Sequence, residues 1–267
     1  MRSFGLWVLA FILTIASAIY QRKTGPTYPM SGEAELAGAE IRYRLLRSHD
    51  LGDQPVTITV TDADLRGTLS YRRFNSSDAW SNKELVREQS QLHSSLPHQP
   101  PAGKLEYYLT LQKAEQTLRI PPNGSIITRF KGPVPTTALL PHILFMFSAM
   151  LLSTRTGLAA LAGSTRLRQY SQWTVVLLIL GGMIFGPLVQ KYAFGSYWTG
   201  FPFGYDLTDN KTLIALLSWL FAWWTNYKQP HRRGWVLAAT IITLAIFMVP
   251  HSLFGSELRY TSPLPNQ

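Results

Sequence analysis

The chain has 267 residues, no cysteine and a formal net charge of +10. The lack of cysteine excludes disulfides, thiolate metal sites, cysteine nucleophiles and haem attached covalently through Cys-x-x-Cys-His. The charge would suit nucleic acid in a soluble protein, but its placement along the chain indicates a membrane orientation instead, and no nucleic-acid partner is predicted. Residues 21–133 contain most of the charge, whereas residues 134–250 contain four apolar runs near the roughly 20 residues that cross a bilayer.

The N-terminus predicts a signal peptide or a signal-anchor helix over residues 1–20. Arg2 precedes an apolar stretch from Gly5 to Tyr20, which is the layout of a secretory signal. Ala16-Ser17-Ala18 offers a cleavage site, and retention of the segment as an anchor is the equal alternative. Either fate exports the residues that follow.

Residues 21–133 are predicted to form an extracytoplasmic β-sandwich. Segments with period-two alternation, such as Val56–Val60 and Leu105–Leu111, are separated by turn residues, and six or seven such strands indicate two packed sheets. The proline-rich stretch 96–104 leads into one of these strands. It resembles the corresponding stretch of immunoglobulin-like and fibronectin type III-like domains in bacterial surface proteins. That resemblance implies a fold and not a ligand.

The predicted sandwich offers one candidate recognition surface and no catalytic grouping. Its serines, aspartates and histidines lack the spacing of a nucleophile elbow or a metal site. Arg72-Arg73-Phe74 and Trp80 could form a basic, aromatic surface for a partner, although an arginine beside a tryptophan is also a common structural contact. The sequence therefore favours a binding domain over an enzyme.

The charges of residues 134–250 predict the orientation of a four-helix transmembrane bundle. Its spans are 135–153, 173–190, 211–227 and 234–250. The connections 154–172 and 227–233 contain arginine or lysine but no acid, so both belong in the cytoplasm. This orientation places the sandwich, the loop 191–211 and the tail 251–267 outside the bacterial inner membrane, with the lipid bilayer as a partner. No charged residue lies near the middle of a span, which argues against a pump.

The loop 191–211 is unusually aromatic, since half of residues 192–205 are Phe, Trp or Tyr. A belt at the headgroup level would explain this composition. The interspersed Gly and Pro residues favour a second explanation, a compact lid over the bundle. Asp206 and Asp209 are expected to cap the start of the following helix, and a cation site made from Asp206, Asp209 and Asn210 is the alternative.

Two histidines flank this loop in the predicted bundle. His142 lies near the outer end of the first bundle helix and His251 at the outer end of the last. Each could simply bond a neighbouring loop carbonyl. Alternatively, the two imidazoles could ligate the iron of a non-covalently held haem beneath the aromatic side chains.

The segment 195–224 favours the haem interpretation through a family resemblance. The segment contains Gly195-Ser196-Tyr197-Trp198, then Asp206, Lys211-Thr212 and the run Leu216-Leu217-Ser218-Trp219-Leu220. In these residues it is similar to membrane proteins of cytochrome c assembly that handle haem. Those proteins have a Trp-rich outer loop between histidines at helix ends. The resemblance implies haem iron bound by two histidines and a cofactor surface around the loop. These cofactor-binding residues are His142, His251, Tyr197, Trp198 and Asp206.

Two hypotheses follow for the function. The first is a non-enzymatic membrane protein whose exported domain binds a protein partner in an envelope assembly. The second is a haem-handling or electron-transfer membrane protein that binds its cofactor at the outer membrane surface.

Overall fold

The computed structural model describes residues 2–229 and 232–250 together with residues 255, 257, 258 and 260. The described chain divides into two units. Residues 1–26 and 134–256 are assigned to the helical unit, and residues 27–133 and 257–267 are assigned to the sheet unit.

The sheet unit contains eleven strands among the described residues, arranged in two sheets. They are β1 (Met30–Leu36), β2 (Ala39–Leu45), β3 (Ser48–His49), β4 (Gln54–Val60), β5 (Arg66–Arg73), β6 (Ser81–Glu84), β7 (Val86–Glu88), β8 (Gln91–Leu96), β9 (Lys104–Lys113), β10 (Gln116–Ile120) and β11 (Ile126–Phe130). The five-stranded sheet has the order β1-β2-β4-β8-β7. The six-stranded sheet has the order β3-β11-β9-β5-β6, with β10 paired to β9. The sequence indicated only six or seven strands because β3, β6 and β7 have two to four residues, too few to display an alternation.

Both sheets contribute to one hydrophobic core. In their longer strands β4 and β9, buried and more exposed side chains alternate, so that every second residue enters this core. The buried core residues of β4 and β9 are Val56, Ile58, Val60, Leu105, Tyr107, Leu109 and Leu111. Full burial of each such aliphatic side chain contributes about 1.5–3 kcal/mol. Two sheets with a common core are the arrangement that a sandwich requires.

The helical unit contains six α-helices and one π-helical segment among the described residues. They are α1 (Arg2–Thr24), α2 (Thr136–Leu161), α3 (Leu167–Leu178), the π segment (Ile179–Phe185), α4 (Gly186–Phe194), α5 (Leu207–Lys228) and α6 (Arg233–Met248). Three helices are long and apolar enough to cross a membrane, namely Ser3–Thr24, Thr136–Leu161 and the continuous Leu167–Phe194. Helix α6 is apolar but shorter.

Helices α2, α3, α5 and α6 share a second hydrophobic cluster. At its centre, Trp219 of α5 is completely buried, and its Nε1 donates a hydrogen bond to Thr243 Oγ1 of α6 at 2.8 Å. Gly157 of α2 permits a close approach, since a Cβ at this position would lie 2.5 Å from Thr240 Cγ2. Small residues at such crossings are typical of helices that pack in membranes.

The first connection between bundle helices is much shorter than expected. Helix α2 continues to Leu161 and α3 begins at Leu167, so the predicted connection 154–172 is reduced to residues 162–166. Arg155 therefore lies in a helix, where it is only 3% exposed. Helix propagation adds a hydrogen bond for each further residue and does not require that residue to be apolar. The helices therefore extend beyond the apolar runs from which their lengths were predicted.

Candidate functional site

The outer side of the six-stranded sheet carries two aromatic rings in contact, each covered by a guanidinium group. We call this surface the Trp80 face; its members are Arg72, Trp80, Glu106, Tyr108 and Arg119. Arg72 Cζ lies 4.6 Å from the Trp80 ring centroid, and Arg119 Cζ lies 4.0 Å from that of Tyr108. The Trp80 and Tyr108 rings pack edge to face with centroids 4.8 Å apart. Aromatic pairs and cation–π contacts each add about 0.5–1.5 kcal/mol.

Strand register brings these side chains together. Arg72 of β5 pairs with Glu106 of β9, and Tyr108 lies two residues further along β9 on the same side of the sheet. Trp80 directly precedes β6, the neighbour of β5. Arg119 of β10 pairs with Thr110, the next outward residue of β9.

The Trp80 face has an excess of positive charge. Glu106 accepts hydrogen bonds from Arg72 Nε at 2.7 Å and from Ser125 Oγ at 2.6 Å. Arg119 donates through Nη2 to Gly124 O at 2.7 Å and has no carboxylate partner among the described residues. The face therefore has two positively charged guanidinium groups and one negatively charged carboxylate, and Arg119 is exposed to solvent.

The sequence identified only part of this face. Arg72 and Trp80 are adjacent, as the prediction required, whereas Arg73 belongs to a buried pair with Asp78. The hydrogen bonds that Arg73 donates to the Asp78 carboxylate raise the pKa of the guanidinium. Tyr108 and Glu106 were missed, although their spacing of two in an alternating strand places them on one side of a sheet.

The loop between α4 and α5 is held by one carboxylate. Asp209 Oδ2 accepts hydrogen bonds from Thr199 N at 2.6 Å, Gly200 N at 3.0 Å and Gln190 Nε2 at 3.0 Å. Asp209 is 6% exposed. Position 200 requires glycine because a Cβ there would lie 2.6 Å from Asp209 Cβ. The loop therefore forms a compact, fixed turn at the start of α5, and its role as a lid over the bundle stays a prediction.

Asp206 has the capping role that the sequence predicted. It is the N-cap residue of α5, and its Oδ1 accepts a hydrogen bond from Thr208 N at 2.8 Å. Asn210 Oδ1 accepts from Phe201 N at 2.7 Å. The three residues of the alternative cation site, Asp206, Asp209 and Asn210, therefore direct oxygens at protein donors. Among the described residues, no group of three or more His, Cys, Asp or Glu side chains could hold a metal ion.

The aromatic side chains of this loop point in several directions. Trp198 Nε1 donates within the loop to Phe201 O at 3.0 Å, and Lys191 Nζ lies 5.3 Å from the Tyr197 ring centroid. Phe203 and Tyr205 are 83% and 93% exposed within the chain itself. The loop consequently presents an apolar, outward surface.

His142 bonds a backbone carbonyl, as one of the two sequence-based alternatives proposed. Its Nδ1 lies 2.8 Å from Gly181 O, and a carbonyl can only accept, so Nδ1 carries the proton. Gly181 belongs to the π segment, where Gly186 N also donates to the same oxygen. Among the described residues, no hydrogen bond or ring contact joins His142 to Tyr197 or Trp198. His251 lies outside the described residues.

Comparisons with known proteins do not identify a family. No protein-family model and no curated protein matches the chain. Among solved structures, a crystal structure of a Br derivative of BhCBM56 matches with 10% sequence identity and a TM-score of 0.24. The match covers 39% of this chain and 92% of that chain. A likeness at this level carries no argument about fold or ligand.

Proposed function

We propose that the protein is a bacterial inner-membrane protein whose sheet unit is an extracytoplasmic β-sandwich that binds a protein partner through the Trp80 face. In this proposal the transmembrane bundle has four helical segments, which are α2, the continuous segment from α3 to α4, α5 and α6. The absence of acids from the connections near 162–166 and 229–233 supports this orientation. Helix α2 and the continuous α3 to α4 are long and apolar enough to cross a membrane.

The described tail residues give a separate argument for an even number of crossings after the sheet unit, which four crossings satisfy. Glu257 Oε2 accepts a hydrogen bond from Lys104 Nζ at 2.6 Å, and Leu258 N donates to Ala102 O at 3.1 Å. Tyr260 OH donates to Gln99 Oε1 at 3.1 Å. The tail thus belongs on the same side of the membrane as the sheet unit, which requires an even number of crossings between them.

The observation that supports partner binding is the composition and geometry of the Trp80 face. Trp, Tyr and Arg are the residue types that most often dominate the binding energy of protein interfaces. Here the Trp80 and Tyr108 rings are half-buried and fixed by neighbouring guanidinium groups, so little side-chain entropy is lost on binding. The excess positive charge favours a partner with an acidic contact surface.

Site-specific photo-crosslinking tests this proposal. A photoreactive amino acid at Thr110, which pairs with Arg119 at the edge of the Trp80 face, should give a protein adduct in growing cells. Trp80→Ala should weaken binding about 30-fold, the effect of losing roughly 2 kcal/mol at an interface centre, and the adduct should largely disappear.

A photoreactive residue at Glu40, an exposed position of the five-stranded sheet, is the matched control and should give no such adduct. An adduct that forms equally from both positions, or one that survives Trp80→Ala in a folded protein, would contradict binding through this face.

Haem binding is the alternative function, and one observation favours it. The Nδ1 proton of His142 is committed to Gly181 O, which orients the ring and leaves Nε2 as the nitrogen with a free lone pair, an arrangement common to metal-binding histidines. Protein produced with ample haem should then show a Soret band that is lost in His142→Ala. A colourless preparation would exclude this function.

A further inference from the structure

We propose that α1 stays in the mature protein as a fifth membrane-spanning helix of the helical unit. This proposal concerns the fate of residues 1–20, for which the sequence allowed both cleavage and retention. It does not depend on partner binding by the Trp80 face.

One side of α1 is shaped for close packing against its neighbours. Its members recur every three or four residues and are buried or half-buried; they are Leu6, Ala10, Thr14, Ser17, Ala18 and Gln21. Ala10 and Thr14 are 0% and 3% exposed, whereas Phe11 and Ile12 are directed outward. The neighbours of α1 are α2 and α6. Small side chains allow two helix backbones to approach closely, which drives helix association in membranes.

The first polar contact of α1 is with the buried Arg155 of α2. Arg155 Nη2 donates a hydrogen bond to Ser3 Oγ at 3.2 Å, and its Cζ lies 5.3 Å from the Trp7 ring centroid. Tyr170 of α3 lies 5.4 Å away. Arg155 Nε and Nη1 have no hydrogen-bond partner in the described chain. Removal of α1 would therefore take away the Ser3 hydrogen bond and the Trp7 contact and leave the Tyr170 ring as the contact of this cation among the described residues. The loss of partners makes a buried charge more costly.

The second polar contact lies at the other end of α1. Gln21 Nε2 donates hydrogen bonds to Phe247 O at 2.6 Å and Val249 O at 3.1 Å. These carbonyls belong to the end of α6, where the last turn of a helix lacks internal donors. Lys211 Nζ also donates to Val249 O, at 2.8 Å. Helix α1 thus acts as a C-terminal cap of α6. Gln21 lies beyond Ala18, so cleavage would leave it in the chain but would remove the helical residues before it that hold it against α6.

The predicted cleavage site lies within the packed part of α1. The helix continues through Ala16-Ser17-Ala18 to Thr24 without interruption, and Ser17 and Ala18 face the neighbouring helices. Proteolysis requires a segment to open locally from its folded state. Packing of α1 therefore protects this site once the bundle has formed.

The intact mass of the protein purified from membranes through a C-terminal tag tests retention directly. We expect a mass that includes residues 1–20, which for residues 1–267 is 30.1 kDa plus the tag. A polypeptide that begins after Ala18 would overturn the proposal.

A second experiment tests the packing. A specific protease site placed in the exposed stretch Thr27-Tyr28, cut in mild detergent, would separate α1 covalently from the rest of the chain. The α1 fragment should remain bound to the tagged remainder. Gln21→Leu and Arg155→Leu should each lower the retained fraction about tenfold, since membrane-embedded polar contacts are worth about 1–2 kcal/mol.

Phe11→Leu, at an outward position of α1, is the matched control and should leave retention unchanged. Release of α1 from the unsubstituted protein would overturn the proposal, as would equal retention in Gln21→Leu and Phe11→Leu.

Discussion

Replacing Asp78 by alanine is expected to lower the free energy of unfolding of the sheet unit by about 3–5 kcal/mol. Arg73 donates two hydrogen bonds to this carboxylate, from Nε at 2.6 Å and from Nη2 at 2.8 Å. The side chains of Arg73 and Asp78 are 10% and 4% exposed. Alanine at position 78 would leave the guanidinium without its bidentate partner in a site that excludes water.

Urea-dependent proteolysis of the full-length protein in detergent measures this loss through the fragments of residues 27–133. Asp64→Ala, which removes an exposed carboxylate of the same unit, should change the stability by less than about 0.5 kcal/mol. The double variant Arg73→Met, Asp78→Leu should recover part of the loss, because it removes both charges. Equal stability of Asp78→Ala and Asp64→Ala would show that the ion pair is unimportant.

Asp209→Ala is expected to lower the free energy of local opening of the loop between α4 and α5 by about 3 kcal/mol. The carboxylate accepts hydrogen bonds from the amides of Thr199 and Gly200 and from Gln190. Each buried donor left without a partner costs about 1–3 kcal/mol. Hydrogen exchange at the amides of Thr199 and Gly200 should become roughly 100-fold faster.

Asp206→Ala provides the matched comparison, since Asp206 is the N-cap of the same helix and bonds Thr208 N. Loss of an N-cap typically costs about 1 kcal/mol, so exchange at Thr199 and Gly200 should respond less. A larger response to Asp206→Ala than to Asp209→Ala would contradict the central role given to Asp209.

The sequence predicted those features that depend on local pattern. The alternation of β4 and β9 identified two strands of the common core, and the position of Asp206 before an apolar run identified a helix cap. The stretch 96–104 does connect two strands, since β8 ends at Leu96 and β9 begins at Lys104. Each of these inferences needs only neighbours in the chain.

Features that depend on distant contacts could not be predicted. Tyr108 and Arg119 join Arg72 and Trp80 only because of the pairing of β5, β9 and β10, and one sequence does not specify strand register. Asp209 was expected to cap a helix, but its partners include Gln190 from the preceding helix. The role of His251 in haem binding remains a prediction.

Single-cysteine accessibility tests the central claim, an exported sheet unit on a membrane-spanning helical unit, most directly. The chain has no cysteine, so Glu84→Cys, Tyr205→Cys and Gln229→Cys each report one exposed position. A membrane-impermeant maleimide applied to intact spheroplasts should label the cysteines at positions 84 and 205, and that at position 229 only after permeabilisation. Labelling at position 229 in intact spheroplasts, or protection of position 84, would contradict the proposed architecture.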